Sequence, residues 1–360
     1  MTTDARVAPI VIAGGGTGGH VFPGLALAEE LRRRRPGRPV AWVGARGGIE
    51  ERLVPRAGIP LAVLPMSGLA RVGALDRALA LARALFATLR LAGRFLAERP
   101  ALVVGVGGFA SGPAVLAAAL VRVPTLLLEQ NAVAGMTNRS LARWSSAVAA
   151  SFAESAKDLP GRVVVTGNPV RAEIAAIPER VPGPVRRVLG FGGSRGAHAL
   201  NVAWAGALPR LAGLPVAFTL QTGEADLPLV QGAAAAAGVN AEVLAFLDDM
   251  PARLAAADLV VSRAGATTVA ELTAAGRAAV LVPFPQAAND HQRANALALA
   301  ARGAARVLEQ QDLTPERLAD LLRTAVNEPG TVDAMARAAR GCGVPDAAAR
   351  VADLAEELAA

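Results

Sequence analysis

A glycine-rich turn near the N-terminus carries one of only three histidines in the 360-residue chain. An apolar run (residues 7 to 13) precedes the turn, a helical pattern follows it, and positions 14, 15, 16, 18 and 19 are glycines. Such a turn lets backbone N–H groups approach a ligand, and the helix presents its positive end there. The sequence therefore places a titratable side chain, His20, where we expect an anion or a sugar to bind.

The same turn satisfies the G-x-G-x-x-G pattern of dinucleotide-binding domains. That interpretation requires an acidic residue near the end of the second strand, but this strand is followed by Arg46, and Glu50 lies in the next segment. An arginine there is compatible with NADP, so an NADP-dependent oxidoreductase is an alternative at this point. Two further glycine turns, at residues 105 to 113 and 192 to 196, argue against it, because a dehydrogenase does not need them.

Short apolar runs separated by helical patterns recur along the chain, which predicts an α/β architecture with parallel, doubly wound sheets. The alternation breaks at residues 167 to 171 (GNPVR) and restarts at residue 186 with another strand, glycine turn and helix. We therefore expect two Rossmann-like domains facing a cleft. The first comprises residues 1–166 joined by a C-terminal helix at 346–360, and the second comprises residues 167–345.

The composition limits the classes of function. The formal net charge is +7, but Lys157 is the only lysine, tyrosine is absent and aromatic residues make up 3% of the chain. A base-stacking platform is thus poorly supported, and we expect no nucleic-acid partner. No apolar run is long enough to span a bilayer and no signal peptide precedes the first strand, so we expect a cytoplasmic location. The single cysteine, Cys342, cannot form an internal disulfide.

Polar side chains in both halves follow predicted strands. In the second half, Thr267 and Thr268 begin a helix after a turn of small residues, where their hydroxyls and backbone can meet a diphosphate. Glu271 lies in the first turns of that helix, where it either stabilises the helix N-terminus or accepts the hydroxyls of a ribose. In the first half, Glu129 and Asn131 follow a buried strand and should emerge at the carboxyl edge of the sheet.

Seven motifs in this order resemble the MurG family of peptidoglycan N-acetylglucosaminyltransferases, within glycosyltransferase family 28. They are GGGTGGHVFPGLALAEEL, GVGGFASGP, LEQNAVAGMTNRSLA, GNPVR, GGSRGAHALN, SRAGATTVAEL and NDHQRANA, and they span roughly residues 8 to 355. The resemblance implies a GT-B architecture and transfer of GlcNAc from UDP-GlcNAc to the 4-hydroxyl of the muramic acid sugar on undecaprenyl diphosphate. This step would convert lipid I to the β-linked lipid II. Another GT-B UDP-sugar transferase with a lipid or natural-product acceptor is the alternative.

The resemblance also implies which residues bind substrates. The first domain would face the acceptor and the membrane and the second would bind UDP-GlcNAc, with the backbone at Leu247 recognising uracil and Arg171 contacting the donor or forming a hinge salt bridge. Leu128 stands where the family usually has histidine, which removes one candidate polar group. The full set of expected binding residues is Thr17, Gly18, Gly19, Asn131, Arg171, Ser194, Leu247, Ala266, Thr267, Thr268, Glu271, His291 and Gln292.

Transfer to a hydroxyl requires a general base. An imidazole with an ordinary pKa near 6.5 suits that task, and His20 is the only histidine in the first domain. Glu129 is the rival base, and binding of the acceptor diphosphate is the alternative role for His20. The chain has no D-x-D motif, so we expect no metal or other cofactor and assign stabilisation of the departing UDP to helix dipoles and backbone donors.

The segment from residue 75 to 96 predicts an amphipathic helix that meets an anionic membrane. Leucines 81, 85, 89 and 96 share one face, which we expect to pack in the core, and arginines 83, 90 and 94 share the opposite face. Leu75, Leu79 and Phe86 fall beside the arginines and should dip into the membrane interface. The protein is thus expected to lie peripherally on the inner face of the cell membrane.

Overall fold

The computed structural model describes residues 7–65, 74–193 and 196–360, with residues 74–78 described by their backbone alone. The strands are β1 (Ile10–Gly14), β2 (Val40–Ala45), β3 (Leu61–Leu64), β4 (Leu102–Gly107), β5 (Thr125–Glu129), β6 (Ala147–Ala150), β7 (Val163–Val165), β8 (Arg187–Phe191), β9 (Ala217–Gln221), β10 (Ala241–Leu244), β11 (Leu259–Ser262), β12 (Ala278–Leu281) and β13 (Arg306–Val307). The α-helices are α1 (Gly18–Arg34), α2 (Glu50–Arg56), α3 (Ala74–Glu98), α4 (Ser111–Leu120), α5 (Met136–Leu141), α6 (Ala153–Ala156), α7 (Ala172–Ala175), α8 (His198–Ala207), α9 (Leu227–Ala237), α10 (Met250–Ala256), α11 (Ala266–Ala274), α12 (His291–Ala300), α13 (Pro315–Asn327), α14 (Pro329–Cys342) and α15 (Ala347–Leu358).

The chain divides into two compact units. Unit 1 comprises Met1–Arg171 and Asp346–Ala360, and unit 2 comprises Ala172–Pro345. Each unit is built on one parallel sheet, with strand order β3-β2-β1-β4-β5-β6-β7 in unit 1 and β10-β9-β8-β11-β12-β13 in unit 2. The expectation of two Rossmann-like parallel sheets is confirmed. The last strand, β13, is only two residues long and was not predicted from the sequence.

The sheet of unit 1 is covered on both faces. Ile10 and Ile12 of β1 pack in a buried cluster with α1 and α15, whereas Val11 and Ala13 pack in another with α3 and α4. Successive residues of a strand point to opposite faces, and a sheet buried on both faces therefore needs a continuous apolar run. This requirement explains why the run before the glycine turn is apolar throughout.

The prediction that the leucine face of α3 packs in the core is wrong. Leu81 is 68% exposed, and Leu85, Leu89 and Leu96 are exposed as well. The helix instead buries Ala87, Leu91, Ala92 and Phe95 against alanines of α4. The small side chains of α4 leave room for these four residues of α3 to pack, and the leucine stripe beside them is exposed to solvent.

The expected membrane side chains of α3 are also at the surface. Leu79 and Phe86 are exposed, and together with Arg83 and Arg90 they line an apolar pocket of about 290 Å³ beside the end of β3. The side chain of Leu75 lies outside the described residues. Among the residues that the structure describes, no helix has the length and apolar content needed to cross a bilayer.

Candidate active site

The two glycine turns of unit 1 meet where the strand order reverses. Strands β1 and β4 are neighbours, whereas the chain continues from β1 to β2 on one side and from β4 to β5 on the other. Ligands of such sheets bind at the carboxyl ends of the strands at this point. The Gly15 N–H donates to the Gly107 carbonyl (3.1 Å), and a Cβ atom on Gly108 would stand 2.2 Å from the Gly15 oxygen. Only glycine permits this approach.

His20 lies across the meeting point of the two turns. Its Nδ1 is 3.1 Å from the Gly15 carbonyl oxygen, and its ring packs so closely on Gly107 that a Cβ there would stand 2.6 Å from His20 Cδ2. A carbonyl can only accept a hydrogen bond, so Nδ1 carries the hydrogen and the lone pair of the neutral ring is on Nε2. This tautomer presents Nε2 as the proton acceptor.

The other expected binding residues of this turn surround His20. Thr17 precedes α1 and places its hydroxyl 3.5 Å from His20 Nδ1, and Gly18 and Gly19 form the first turn of the helix. The guanidinium of Arg171 lies 5.1 Å from the centre of the Phe22 ring, two residues beyond His20. The structure thus brings Arg171 to the N-terminal end of α1.

A buried carboxylate occupies the first glycine turn. Glu50 is 0% exposed, and it accepts hydrogen bonds from the N–H groups of Gly16 (2.7 Å) and Ala45 (3.0 Å). The expectation that this turn offers its backbone donors to a ligand is therefore wrong at Gly16. An anion already stands in the turn, which disfavours a dinucleotide diphosphate there because like charges repel. The sequence does not reveal this position of Glu50, because Glu50 lies 34 residues from Gly16 along the chain.

Glu129 is buried at the end of β5 and accepts hydrogen bonds from the loop that follows. The donors are the N–H groups of Asn131 (3.0 Å) and Gly135 (2.9 Å) and the side-chain amides of Asn138 (2.8 Å) and Asn131 (3.4 Å). The carboxylate therefore orders the loop after β5 and holds Asn131 in it. Leu128 lies beside it in the strand and is buried in the core.

Unit 2 repeats this arrangement. Strands β8 and β11 are neighbours at the reversal of its strand order, so the turn after β8 and the N-terminus of α11 lie at adjacent strand ends. Helix α11 begins at Ala266, Thr267 and Glu271 are both 8% exposed, and Thr268 is half-buried. Residues four apart share one face of a helix, so Thr267 and Glu271 lie on the same side of α11.

Two buried side chains fix the turn that precedes α11. Arg263 donates to the carbonyls of Val282 and Pro283 (both 3.1 Å) and to the Gln310 side chain (2.6 Å). Burial lowers the pKa of the Arg263 guanidinium from its ordinary value. Asn295, fully buried on α12, donates to the Ala264 carbonyl (3.2 Å). The role of Arg263 is not visible in the sequence, because its partners lie 19 to 47 residues further along the chain.

His291 and Gln292 open α12 after a segment with unusual backbone geometry. Asn289 and Asp290 both have φ of 53°, a left-handed conformation that is uncommon outside glycine. His291 Nδ1 lies 2.6 Å from the Ala288 carbonyl, and the Gln292 side-chain oxygen accepts from the Phe284 N–H (3.0 Å). Both side chains thus order the loop between β12 and α12.

The remaining expected binding residues of unit 2 are Ser194, Leu247 and Ala266. Ser194 lies outside the described residues, whereas Leu247 is buried just after β10 and Ala266 is the first residue of α11. Near the turn after β8, Asn201 and His198 both contact the Asp226 carboxylate, at 2.8 Å and 2.9 Å. The hydrogen bond from Asn201, followed by that from His198, lowers the pKa of Asp226. No group of three or more metal-ligating side chains occurs within the described ranges.

The sequence matches two domain families that together span most of the chain. The glycosyltransferase family 28 N-terminal domain matches residues 10–150, and the glycosyltransferase family 28 C-terminal domain matches residues 187–358. The chain belongs to glycosyltransferase family 28. The resemblance seen in the seven motifs is confirmed, and an NADP-dependent oxidoreductase is ruled out.

Similar proteins within family 28 cover nearly the whole chain. A UDP-N-acetylglucosamine–N-acetylmuramyl-(pentapeptide) pyrophosphoryl-undecaprenol N-acetylglucosamine transferase from Anaeromyxobacter sp. (strain Fw109-5) is 48% identical, over 97% of this chain and 93% of the relative. The transferase of the same name from Xanthomonas axonopodis pv. citri (strain 306) is 47% identical, over 97% and 82%. The crystal structure of Acinetobacter baumannii MurG matches with a TM-score of 0.81 at 35% identity, over 97% of this chain and 99% of that one. This chain is accordingly a glycosyltransferase with the GT-B fold.

Proposed function

We propose that this family 28 enzyme transfers GlcNAc from UDP-GlcNAc to the 4-hydroxyl of the muramic acid sugar of lipid I, giving lipid II for peptidoglycan synthesis. The observation that carries the proposal is the similarity, along nearly the whole chain, to transferases named for this reaction. The positions of four of the seven motifs support it, because GGGTGGHVFPGLALAEEL, GVGGFASGP, GGSRGAHALN and SRAGATTVAEL lie at the ends of β1, β4, β8 and β11, the strands at the reversal of each sheet.

The test of this function is product formation from purified enzyme, radiolabelled UDP-GlcNAc and a lipid I analogue. We expect label in a disaccharide-linked lipid and none when the analogue lacks the 4-hydroxyl. UDP-GalNAc and a glycosyl acceptor without the diphosphate serve as controls for the choice of donor and acceptor. Transfer to unrelated acceptors but not to lipid I would support the alternative GT-B transferase instead.

The donor would be held by unit 2. Thr267 and Thr268 at the start of α11 would meet the diphosphate with hydroxyls and backbone N–H groups, and Ser194 and Ala266 would add contacts there. Glu271 would accept the ribose hydroxyls, and the backbone at Leu247 would recognise uracil. His291 and Gln292 would contact the sugar from the ordered loop before α12. Arg263 and Asn295 would act by holding these turns in place.

The acceptor would be activated by unit 1. In an inverting transfer, the 4-hydroxyl oxygen bonds to C1 of GlcNAc as the bond from C1 to the diphosphate oxygen breaks, and UDP leaves with that electron pair. The hydroxyl proton passes to His20 Nε2, which the tautomer fixed by Gly15 leaves as the basic nitrogen. Glu129 is the weaker choice for this role, because its oxygens accept hydrogen bonds from its own loop. Thr17, Gly18, Gly19, Asn131 and Arg171 would position the two substrates.

Turnover should persist in excess EDTA. The sequence has no D-x-D motif, and the N-terminus of α11 offers backbone donors that can stabilise the negative charge on departing UDP. The measurement is the initial rate with EDTA and with added Mg²⁺, and a metal-dependent glycosyltransferase in the same buffer is the control. Loss of activity in EDTA with recovery in Mg²⁺ would contradict stabilisation by helix dipoles and backbone donors alone.

We also propose that α3 binds an anionic membrane surface, where lipid I is anchored. The exposed apolar side chains of α3 are more numerous than expected, because the leucine stripe is exposed as well, and Arg83 and Arg90 lie among them. Apolar side chains that enter the acyl boundary and arginines that meet lipid phosphates act together in interfacial helices. The enzyme would thus lie peripherally on the inner face of the cell membrane.

The double substitution Leu79→Glu/Phe86→Glu should reduce flotation with vesicles that contain anionic lipid, because it places two carboxylates against the headgroups. The affinity for UDP-GlcNAc should stay unchanged. Leu229→Glu is the matched control, since Leu229 is a comparably exposed leucine on α9 of unit 2. Equal flotation of the double variant and the wild type would refute membrane binding through this helix.

A further inference from the structure

We infer that the buried Glu50 carboxylate positions His20 through the one peptide group that joins Gly15 to Gly16. The Gly16 N–H of this peptide donates to Glu50 Oε2 (2.7 Å), and its Gly15 C=O accepts from His20 Nδ1 (3.1 Å). The carboxylate and the imidazole therefore bind the N–H and the C=O of one peptide group. The inference rests on the proposed role of His20, and it makes Glu50 a positioning residue for that role.

The arrangement strengthens both hydrogen bonds. A carboxylate at the N–H end polarises the peptide and increases the negative charge on its carbonyl oxygen, because hydrogen bonds in a chain reinforce one another. A more negative oxygen holds the His20 Nδ1–H more firmly and favours the imidazolium that forms when Nε2 takes a proton. In catalytic triads a carboxylate bound directly to the imidazole fixes the tautomer and stabilises the cation. Here Glu50 would have this effect through a peptide.

Glycines around Glu50 leave the space that its carboxylate occupies. A Cβ atom on Gly15 or on Gly48 would come within 2.1 Å of a carboxylate atom of Glu50, so glycines leave room for the charge. The second oxygen accepts from the Ala45 N–H at the end of β2 (3.0 Å). Within the part of the chain that the structure describes, no lysine, arginine or histidine forms an ion pair with Glu50.

A buried charge without a cation is costly, and among the described residues its donors are the backbone N–H groups of Gly16 and Ala45. A neutral side chain could tie the two turns together with a lower desolvation cost. The charge lies at the N–H end of the bonded peptide, and the group at the carbonyl end of that peptide is His20. The glycine turn thus binds the Glu50 carboxylate, and its Gly15–Gly16 peptide transmits the polarisation to the His20 imidazole.

Glu50→Gln should lower kcat about tenfold, the low end of the loss seen when a metal-bound histidine is deprived of its hydrogen-bond partner, with the KM for UDP-GlcNAc unchanged. The glutamine side chain has the same size as the glutamate but carries no charge. Its NH₂ group faces one of the two backbone N–H donors, which then loses its acceptor. Glu51→Gln is the matched control, because Glu51 is exposed, is adjacent in α2 and accepts from Gly47 outside this peptide. Equal kcat in Glu50→Gln and wild type, in an enzyme whose His20→Ala variant loses activity, would overturn the inference.

Nitrogen-15 NMR of the histidine side chains gives a readout that does not depend on turnover. In the wild-type full chain, at a pH where imidazoles are neutral, His20 should be the Nδ1–H tautomer, with its signals assigned by their loss in His20→Ala. In Glu50→Gln the signals should shift towards the Nε2–H tautomer. An unchanged tautomer would overturn the inference, whereas a shifted tautomer with full activity in His20→Ala would support the positioning and refute the proposed base.

Gly48→Ala supplies a second variant that keeps the charge. Gly48 is not in the left-handed region, so the alanine Cβ acts by displacing the Glu50 carboxylate and not by straining the backbone. We expect a smaller shift of the His20 tautomer in the same direction as in Glu50→Gln. A folded Gly48→Ala protein with the wild-type tautomer and kcat would count against the peptide link.

Discussion

Replacing His20 with alanine should lower kcat by about 10² or more, because a positioned general base contributes roughly 10² to 10⁴ to the rate of proton transfer. The affinity for UDP-GlcNAc, measured by calorimetry, should be unchanged, since His20 is assigned to the acceptor hydroxyl and not to the donor. The acidic limb of the pH profile of kcat should disappear with the imidazole. Wild type and variant are compared at saturating lipid I analogue, so that acceptor binding does not limit the rate.

Chemical rescue separates a base from a binding residue at this position. The ring of His20 packs on Gly107, so alanine leaves a space there that added imidazole can enter. Imidazole should then restore part of the lost kcat, with an effect that grows with the fraction of neutral imidazole. A variant that keeps its kcat and loses only acceptor KM would make His20 a ligand of the acceptor, and Glu129 would become the candidate base.

The sequence was sufficient to predict the elements that carry the proposed site. Strands buried on both faces require long apolar runs, and close approach of two turns requires glycine, so both features are visible in the residues themselves. The run before Gly14 and the glycines at 107 and 108 are the clearest cases. The two-residue strand β13 has too few residues to form a pattern.

Long-range contacts account for what the sequence did not predict. Glu50 and Glu51 are adjacent acidic residues at the start of α2, and nothing local distinguishes the buried one from the exposed one. Glu129 was expected at the sheet edge, but its engagement by the loop at residues 135–138 depends on how that loop closes. On α3, the choice between two apolar stripes was decided by the alanines of α4, which a helical wheel of α3 alone does not include.

Glu271→Ala should weaken the binding of UDP and UDP-GlcNAc alike, by about 1.5 to 3 kcal/mol, which is the range for hydrogen bonds to a charged group. Calorimetry with UDP measures this directly. Thr273→Val is the matched control on the same helix, because its buried hydroxyl donates to the carbonyls of Val269 and Ala270 and its loss should change stability, not UDP affinity. Unchanged UDP affinity in Glu271→Ala would remove Glu271 from the donor site.

Deoxy analogues of UDP test the contact atom by atom. If Glu271 accepts both ribose hydroxyls, wild-type enzyme should bind 2′-deoxy-UDP and 3′-deoxy-UDP more weakly than UDP. The Glu271→Ala variant should bind all three nucleotides with similar affinity, because the partner of each hydroxyl is gone. The two enzymes and the deoxy analogues form a thermodynamic cycle, and its coupling energy measures the interaction between the carboxylate and the ribose. Equal discrimination by wild type and variant would instead give Glu271 a structural role within α11, without contact to the ribose.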